Sequence, residues 1–287
     1  MATPEANFSI DRPARRRWPA LALAASLLVL VALGVMYHFR ANSVVSPELP
    51  AAQVSTSSSP IVQSEPKKPA RPADQRTLLN AIREHLLLHL PLSSSLTDHS
   101  ASAHKIELTG SVEVHDSAAH FPGDAYLTLP HIPLNDRPFA FALWIKPEGK
   151  IVGYGLLEQS GGGPGKMLHI LLRDPDRPYF GFYMSDLRAS QSIQPGVWTH
   201  LAFQFTGTHQ QIWINGQLAV ERVSDPYQGE TGDTLIGKAP NWSNVSTRCY
   251  TGAMRDLRLY GVALTAEQIR VLAGLEASPT IKRPDIF

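Results

Sequence analysis

Trp198-Thr-His-Leu-Ala-Phe-Gln-Phe, then Ile212-Trp-Ile-Asn-Gly, then Tyr250-Thr-Gly-Ala-Met-Arg-Asp-Leu-Arg-Leu-Tyr-Gly-Val-Ala-Leu-Thr-Ala-Glu-Gln-Ile, decide the fold of this 287-residue chain. Asn215-Gly216 lies between Ile212-Trp-Ile and Gln217-Leu-Ala-Val, and both residues accept the positive φ of a type I′ turn, so a hairpin is expected there. After Tyr260 the pattern changes to a helix, with Thr265 as N-cap, Gln268 three positions on as its capping-box partner and Gly274 as the stop. Ile269 and Leu272 are expected to pack that helix on the rest of the domain.

Moving outward, Phe139, Phe141, Leu143 and Ile145 alternate with Ala140, Ala142 and Trp144, a two-residue period that marks a strand apolar on both faces. Pro138 and Pro147 bracket it, where a missing backbone donor does least harm. Further runs at 151–158, 167–172, 179–184, 198–206, 211–214, 218–223, 234–236 and 254–260 are separated by Gly, Pro, Asn and Asp. Many short strands with turn signals between them indicate an antiparallel sandwich. Residues 78–92 carry both periods, and the reading is a short helical turn to about Glu84 followed by a strand.

The quoted segments, with Phe121-Pro-Gly-Asp-Ala-Tyr-Leu-Thr-Leu-Pro, Ala142-Leu-Trp-Ile-Lys-Pro and the Leu88 to Ser100 stretch, resemble a laminin-G-like jelly roll of the concanavalin A-like lectin/glucanase superfamily. The resemblance spans roughly Leu86 to Gly274 and implies an all-β two-sheet sandwich with a short C-terminal helix. It also implies a structural Ca²⁺ as an expectation, with Asp256 in the late strand and Asp98 in the Asp-x-Ser turn as ligands. Arg255 departs from the family pattern by standing where a second acid is common.

Retaining glucanases of this fold carry a Glu-x-Asp-x-Glu strand, and none occurs here. Glu107 and Glu113, and Glu148 and Glu158, are read as loop or exposed-face residues. His85 and His89 have i, i+4 spacing without a His-Glu-x-x-His motif, and as strand residues they share a solvent face. His200 is read as a sheet residue rather than a base, and Ser160-Gly-Gly-Gly-Pro-Gly-Lys as a hairpin loop. Tyr154, Tyr179, Tyr183, Tyr227 and Trp242 are the candidate sugar-stacking rings, whereas Trp144, Trp198 and Trp213 read as core.

Residues 18–39 read as a transmembrane signal anchor, because Trp18 to Tyr37 holds no formal charge over a length of about 30 Å. Arg12, Arg15, Arg16 and Arg17 face a single Arg40 on the far flank, which keeps residues 1–17 cytoplasmic and sends the remainder across. Residues 40–77 are Pro-, Ser- and Ala-rich and read as a flexible tether, 78–277 as the jelly roll and 278–287 as a tail. A net charge of +1 disfavours nucleic acid, and the lone Cys249 excludes an intrachain disulfide.

The expectation is a non-catalytic module in the cell membrane, its C-terminal domain periplasmic or extracellular, recognising envelope glycan or protein. A tethered polysaccharide hydrolase or lyase and a structural subunit of an envelope complex are the alternatives.

Overall fold

The computed structural model describes residues 74–149, 153–159, 163–173, 176–229, 231–239 and 249–275. The predicted anchor at 18–39, most of the tether and the tail lie outside them, as does Trp242. Among the described residues no helix is long and apolar enough to cross a membrane.

Helix α1 (Gln75–Arg83) opens the described chain, capped by Asp74, whose carboxylate accepts the Thr77 N–H at 2.7 Å. Fifteen strands follow: β1 (Leu86–Leu90), β2 (Glu107–Thr109), β3 (Glu113–His115), β4 (Ala118–Pro122), β5 (Tyr126–Leu129), β6 (Phe139–Pro147), β7 (Tyr154–Gln159), β8 (Leu168–Arg173), β9 (Arg177–Gly181), β10 (Asp186–Arg188), β11 (Thr199–Phe205), β12 (His209–Ile214), β13 (Gln217–Val223), β14 (Thr234–Ile236) and β15 (Thr251–Tyr260). Helix α2 (Ala266–Leu272) ends it, with the predicted Thr265–Gln268 capping box formed in both directions and Gly274 at φ +71°.

The strands make two antiparallel sheets. One has eight strands in the order β13-β12-β11-β6-β15-β4-β3, with β1 also on β15; the other has seven, ordered β10-β9-β8-β7-β14-β5-β2. Leu143, Ile145, Leu201, Phe203, Ile212 and Leu259 of the first face Leu157, Ile170, Leu172, Phe180 and Ile236 of the second in one core. Asn215 and Gly216, at φ +48° and +74°, close the β12–β13 hairpin as the sequence required.

A second apolar cluster lies on the outer face of the eight-stranded sheet. Ala140, Ala142, Ala202, Trp213 and Tyr260 there meet Ile82 of α1 and Ile269 and Leu272 of α2. Small alanines at alternate positions let two helices approach the sheet, which is the physical reason β6 is apolar on both faces.

One expected strand is interrupted: residues 179–184 do not form one strand, since β9 stops at Gly181, and Tyr183 and Met184 are the turn into β10. The helical turn expected to about Glu84 is present as α1, which begins at Gln75.

Candidate functional site

The turn between β9 and β10 is built against local preference. The Phe182 N–H donates to the Ser185 carbonyl at 3.0 Å, and between them Tyr183 and Met184 hold φ +55° and +66°. This left-handed backbone costs a side-chain-bearing residue roughly 1–2 kcal/mol, which is why Asn-Gly is the usual occupant of such a turn. Long-range contacts impose it. The Gly165 N–H donates to the Tyr183 carbonyl at 3.0 Å, Gln210 Nε2 to the Ser185 carbonyl at 3.1 Å, and the Ser185 hydroxyl lies 2.9 Å from that of Ser224.

The consequence is an apolar pair presented to solvent, Tyr183 at 40% and Met184 at 76% exposure. They edge a recess of about 200 Å³ with Pro164, Gly165, Phe182, Ser185, Asp225, Pro226 and Gln228. A flat ring beside a carboxylate and a primary amide is a set that stacks a pyranose or furanose face and hydrogen-bonds its hydroxyls, while the Ser185 hydroxyl is already engaged by Ser224 and by Arg222 Nη2 at 2.9 Å.

Beside that turn, register aligns Glu158, His169, Gly181 and Asp186 in one row across β7, β8, β9 and β10. A Cβ on Gly181 would collide with both His169 and Asp186, so the glycine opens the path by which His169 Nε2 comes 3.1 Å from Asp186 Oδ1. His169 Nδ1 faces the Met167 carbonyl at 3.0 Å, and the Tyr179 ring stacks on the imidazole at 5.7 Å. Burial raises the Asp186 carboxyl, but the His169 contact, the Tyr179 hydroxyl and the Arg173 charge outweigh it and hold it below its ordinary value. Glu158, expected on an exposed face, is only 5% exposed, because its outward side chain enters this row.

Tyr227 is fully buried among Phe139 and Phe182, its hydroxyl donating to Gln159 Oε1 at 3.2 Å, so it is core rather than a stacking ring. Tyr154 is half-buried against Tyr250, and Tyr179 half-buried on His169. Trp213 is buried as expected, whereas Trp144 and Trp198 are only half-buried. His85 ends the α1–β1 turn, and His89 faces Asp256 rather than open solvent.

Asp98 and Asp256 meet at His89. Asp98 Oδ1 accepts the N–H groups of His89 at 3.0 Å and Ser100 at 2.8 Å; its Oδ2 accepts the Ser100 hydroxyl at 2.8 Å, the His104 N–H at 2.9 Å and His104 Nδ1 at 2.8 Å. Burial pushes this carboxyl up, and those donors pull it below its usual value. Asp256, at φ +48° in the β15 bulge, takes His89 Nε2 at 3.0 Å and Arg258 Nε at 2.8 Å on Oδ1. Calcium wants about six to eight oxygens with free lone pairs, and these carboxylates are met by hydrogen-bond donors instead, so the set does not fit the ion. Among the described residues no three His, Cys, Asp or Glu side chains are grouped to hold a metal.

Two stacked antiparallel sheets in this strand order define an all-β jelly-roll sandwich. A family model described as the concanavalin A-like lectin/glucanases superfamily, of laminin-G type, matches residues 121–270, more than half of the sequence. The chain belongs to that superfamily.

Among solved structures, domain 4 of AbnA, a GH43 extracellular arabinanase from Geobacillus stearothermophilus in complex with arabinotriose, is similar with a TM-score of 0.53 at 20% identity, covering 66% of this chain and 98% of that one. The binding domain of Paraclostridial Mosquitocidal Protein 1 is similar with a TM-score of 0.55 at 14% identity, over 67% of this chain and 52% of the other. A botulinum neurotoxin type C structure, from a toxin whose cell entry depends on interaction with two ganglioside molecules, gives 0.54 at 14%, over 68% and 52%. This chain therefore spans about half the length of those toxin chains. Likeness at these identities establishes the fold. Curated proteins offer no match.

Proposed function

We propose that the chain is a non-catalytic recognition module that binds a neutral or weakly polar glycan unit in the rim recess under Tyr183. The observation that carries this reading is the strained, solvent-facing Tyr183-Met184 turn beside Asp225, Gln228 and Ser185. Backbone strain and an exposed ring are retained together where a binding surface needs them. A similar structure solved with arabinotriose, and another from a toxin whose cell entry depends on gangliosides, support a sugar as ligand. In the Glu158–His169–Asp186 row we assign His169 and Asp186 a structural role, since His169 is nearly inaccessible and paired at both ring nitrogens.

The reading includes display outside the cytoplasmic membrane, with 18–39 as the anchor and 40–77 as the tether. It rests on the uncharged run between Arg17 and Arg40. A reporter enzyme active only outside the cytoplasm, fused after Ala73, is expected to be active and to stay with membranes through alkaline washing; a cytoplasmic or soluble reporter would sink that part.

The ligand reading is tested by exposing the full chain, in detergent, to an array carrying arabino-oligosaccharides, ganglioside headgroups and envelope polysaccharides. Wild type is expected to bind a defined subset, and Tyr183→Ala to lose about tenfold or more in affinity with an unchanged melting temperature. Equal binding by Tyr183→Ala, or silence across the array, would rule out the rim site.

A further inference from the structure

The walls of the recess under Tyr183 are tied together from the other sheet. Gln210 of β12 and Arg222 of β13 are cross-strand neighbours in the eight-stranded sheet, and both bond to the β9–β10 turn of the seven-stranded one. Gln210 Nε2 donates to the Phe180 carbonyl at 3.4 Å and to the Ser185 carbonyl at 3.1 Å. Arg222 spreads its fork over the next two oxygens, Nη2 donating to the Ser185 hydroxyl at 2.9 Å and Nη1 to the Asp186 carbonyl at 3.0 Å.

Proton count gives this contact a direction. A guanidinium only donates, and a serine hydroxyl has one proton to give. The Ser224 hydroxyl gives its proton to the Asp225 carbonyl at 3.0 Å, so across the 2.9 Å between the Ser185 and Ser224 hydroxyls the donor is Ser185. The bonds therefore run one way, from Arg222 Nη2–H to Ser185 Oγ, from Ser185 O–H to Ser224 Oγ, and from Ser224 O–H to the Asp225 carbonyl. Arg222 makes no ion pair among the described residues, and its Nε is buried without a partner, so its charge falls on neutral oxygens alone. A charged donor polarises the hydroxyl it meets, and each bond strengthens the next along the chain. Ser185 ends the Tyr183-Met184 turn, and Asp225 opens the segment that lines the same recess with Pro226 and Gln228. Turn and segment are joined a second time through Gly165, whose N–H donates to the Tyr183 carbonyl at 3.0 Å and whose carbonyl accepts the Gln228 N–H at 2.9 Å.

We propose that Arg222 is the positioning residue of the rim recess: it does not line the recess, but through Ser185 and Ser224 it locks the Tyr183-Met184 turn to segment 225–228, so that a glycan meets a preformed site. A site already held in its bound geometry loses less freedom when the ligand arrives. Only the effect on binding rests on the rim reading; the lock itself needs no ligand.

Hydrogen exchange of the full chain in detergent, read by mass spectrometry on peptides covering 180–187 and 223–229, tests the lock. Arg222→Gln is expected to speed exchange in both peptides by about tenfold or more, while β6 and β11 stay within about twofold of wild type. Ser224→Ala is expected to do the same, and the double variant to exceed the larger single effect by no more than about twofold, since both substitutions cut one chain. Arg222→Lys is expected to fall between wild type and Arg222→Gln, because it keeps the charge without the fork. Unchanged exchange in Arg222→Gln, a rise shared equally by β6 and β11, or effects of Arg222→Gln and Ser224→Ala that multiply would overturn the proposal. On the array of arabino-oligosaccharides, ganglioside headgroups and envelope polysaccharides, Arg222→Gln is expected to lose about fivefold or more in affinity for the sugars that wild type retains. Sugars that Tyr183→Ala loses and Arg222→Gln keeps would overturn the positioning role with the rim site standing. Silence of wild type would remove the rim reading, and the exchange rates would still decide the lock. Should Arg222→Gln fail to fold, Ser224→Ala and Arg222→Lys carry the same comparison.

Discussion

His200 shows how one buried ring couples this fold to pH. Its Nδ1 has no hydrogen-bond partner, and burial, only partly offset by Asp256 and reinforced by Arg258, lowers its pKa from 6.5 to about 4. An unfolded chain therefore binds a proton that the native one refuses between these values, and stability rises with pH across that window. Acidification from about pH 6.5 to 4 is expected to remove at most about 3 kcal/mol through this residue. The sign for Asp98, Asp186 and Asp256 is set by depressed carboxyls: their contribution is present above 3.8 and lost as pH falls through their lower folded values, so it lies in a more acidic range. His200→Phe should flatten the upper window and leave the lower one, as read by urea unfolding at stepped pH. An unchanged slope between pH 6.5 and 4 would show that His200 is not the group responsible.

Among the described residues the hairpin turns at Asp116-Ser117, Tyr183-Met184 and Asn215-Gly216 all adopt left-handed backbone, and the last two do so with opposite sequence logic. Asn215-Gly216 fits its turn by intrinsic preference and was legible from the dipeptide alone, as was the Thr265–Gln268 capping box, because both rules act within four residues. Tyr183-Met184 was not legible, and read as strand, because what fixes it comes from Gly165, Gln210 and Ser224, far away in sequence. The bulge that places Asp256 beside His89 was hidden for the same reason. Replacing Tyr183-Met184 by Asn-Gly is expected to raise stability by about 1–3 kcal/mol, from relief of two strained residues, and to abolish binding at the rim. Chemical denaturation and the glycan array together check this. A variant that is no more stable would mean the turn is unstrained, and one that still binds would detach the ring from the function.

Over the whole molecule, the periodicity of β6 already indicated a central strand buried on both sides, but not what would cover its outer face. The cover is a helix pair from the two ends of the domain, α1 and α2, joined by a Gln75 Nε2 bond to the Leu275 carbonyl at 3.3 Å. Residues 78–92 were ambiguous in sequence because Leu79 and Ile82 pack into this layer from a helix, while Leu88 and Leu90 follow strand spacing into the core. Ile82 decides whether α1 belongs to the folded domain or to the tether. At 4% exposure, packed in the cluster with Ala140 and Tyr260, it should behave as a core residue, so Ile82→Ala is expected to cost about 2–4 kcal/mol. The exposed Arg83 beside it should tolerate alanine within about 0.5 kcal/mol. Urea unfolding of the two variants separates the cases: if Ile82→Ala is as mild as Arg83→Ala, the helix layer contributes nothing and the domain begins at β1, whereas a core-sized loss makes the end of the tether the first structural element of the sandwich.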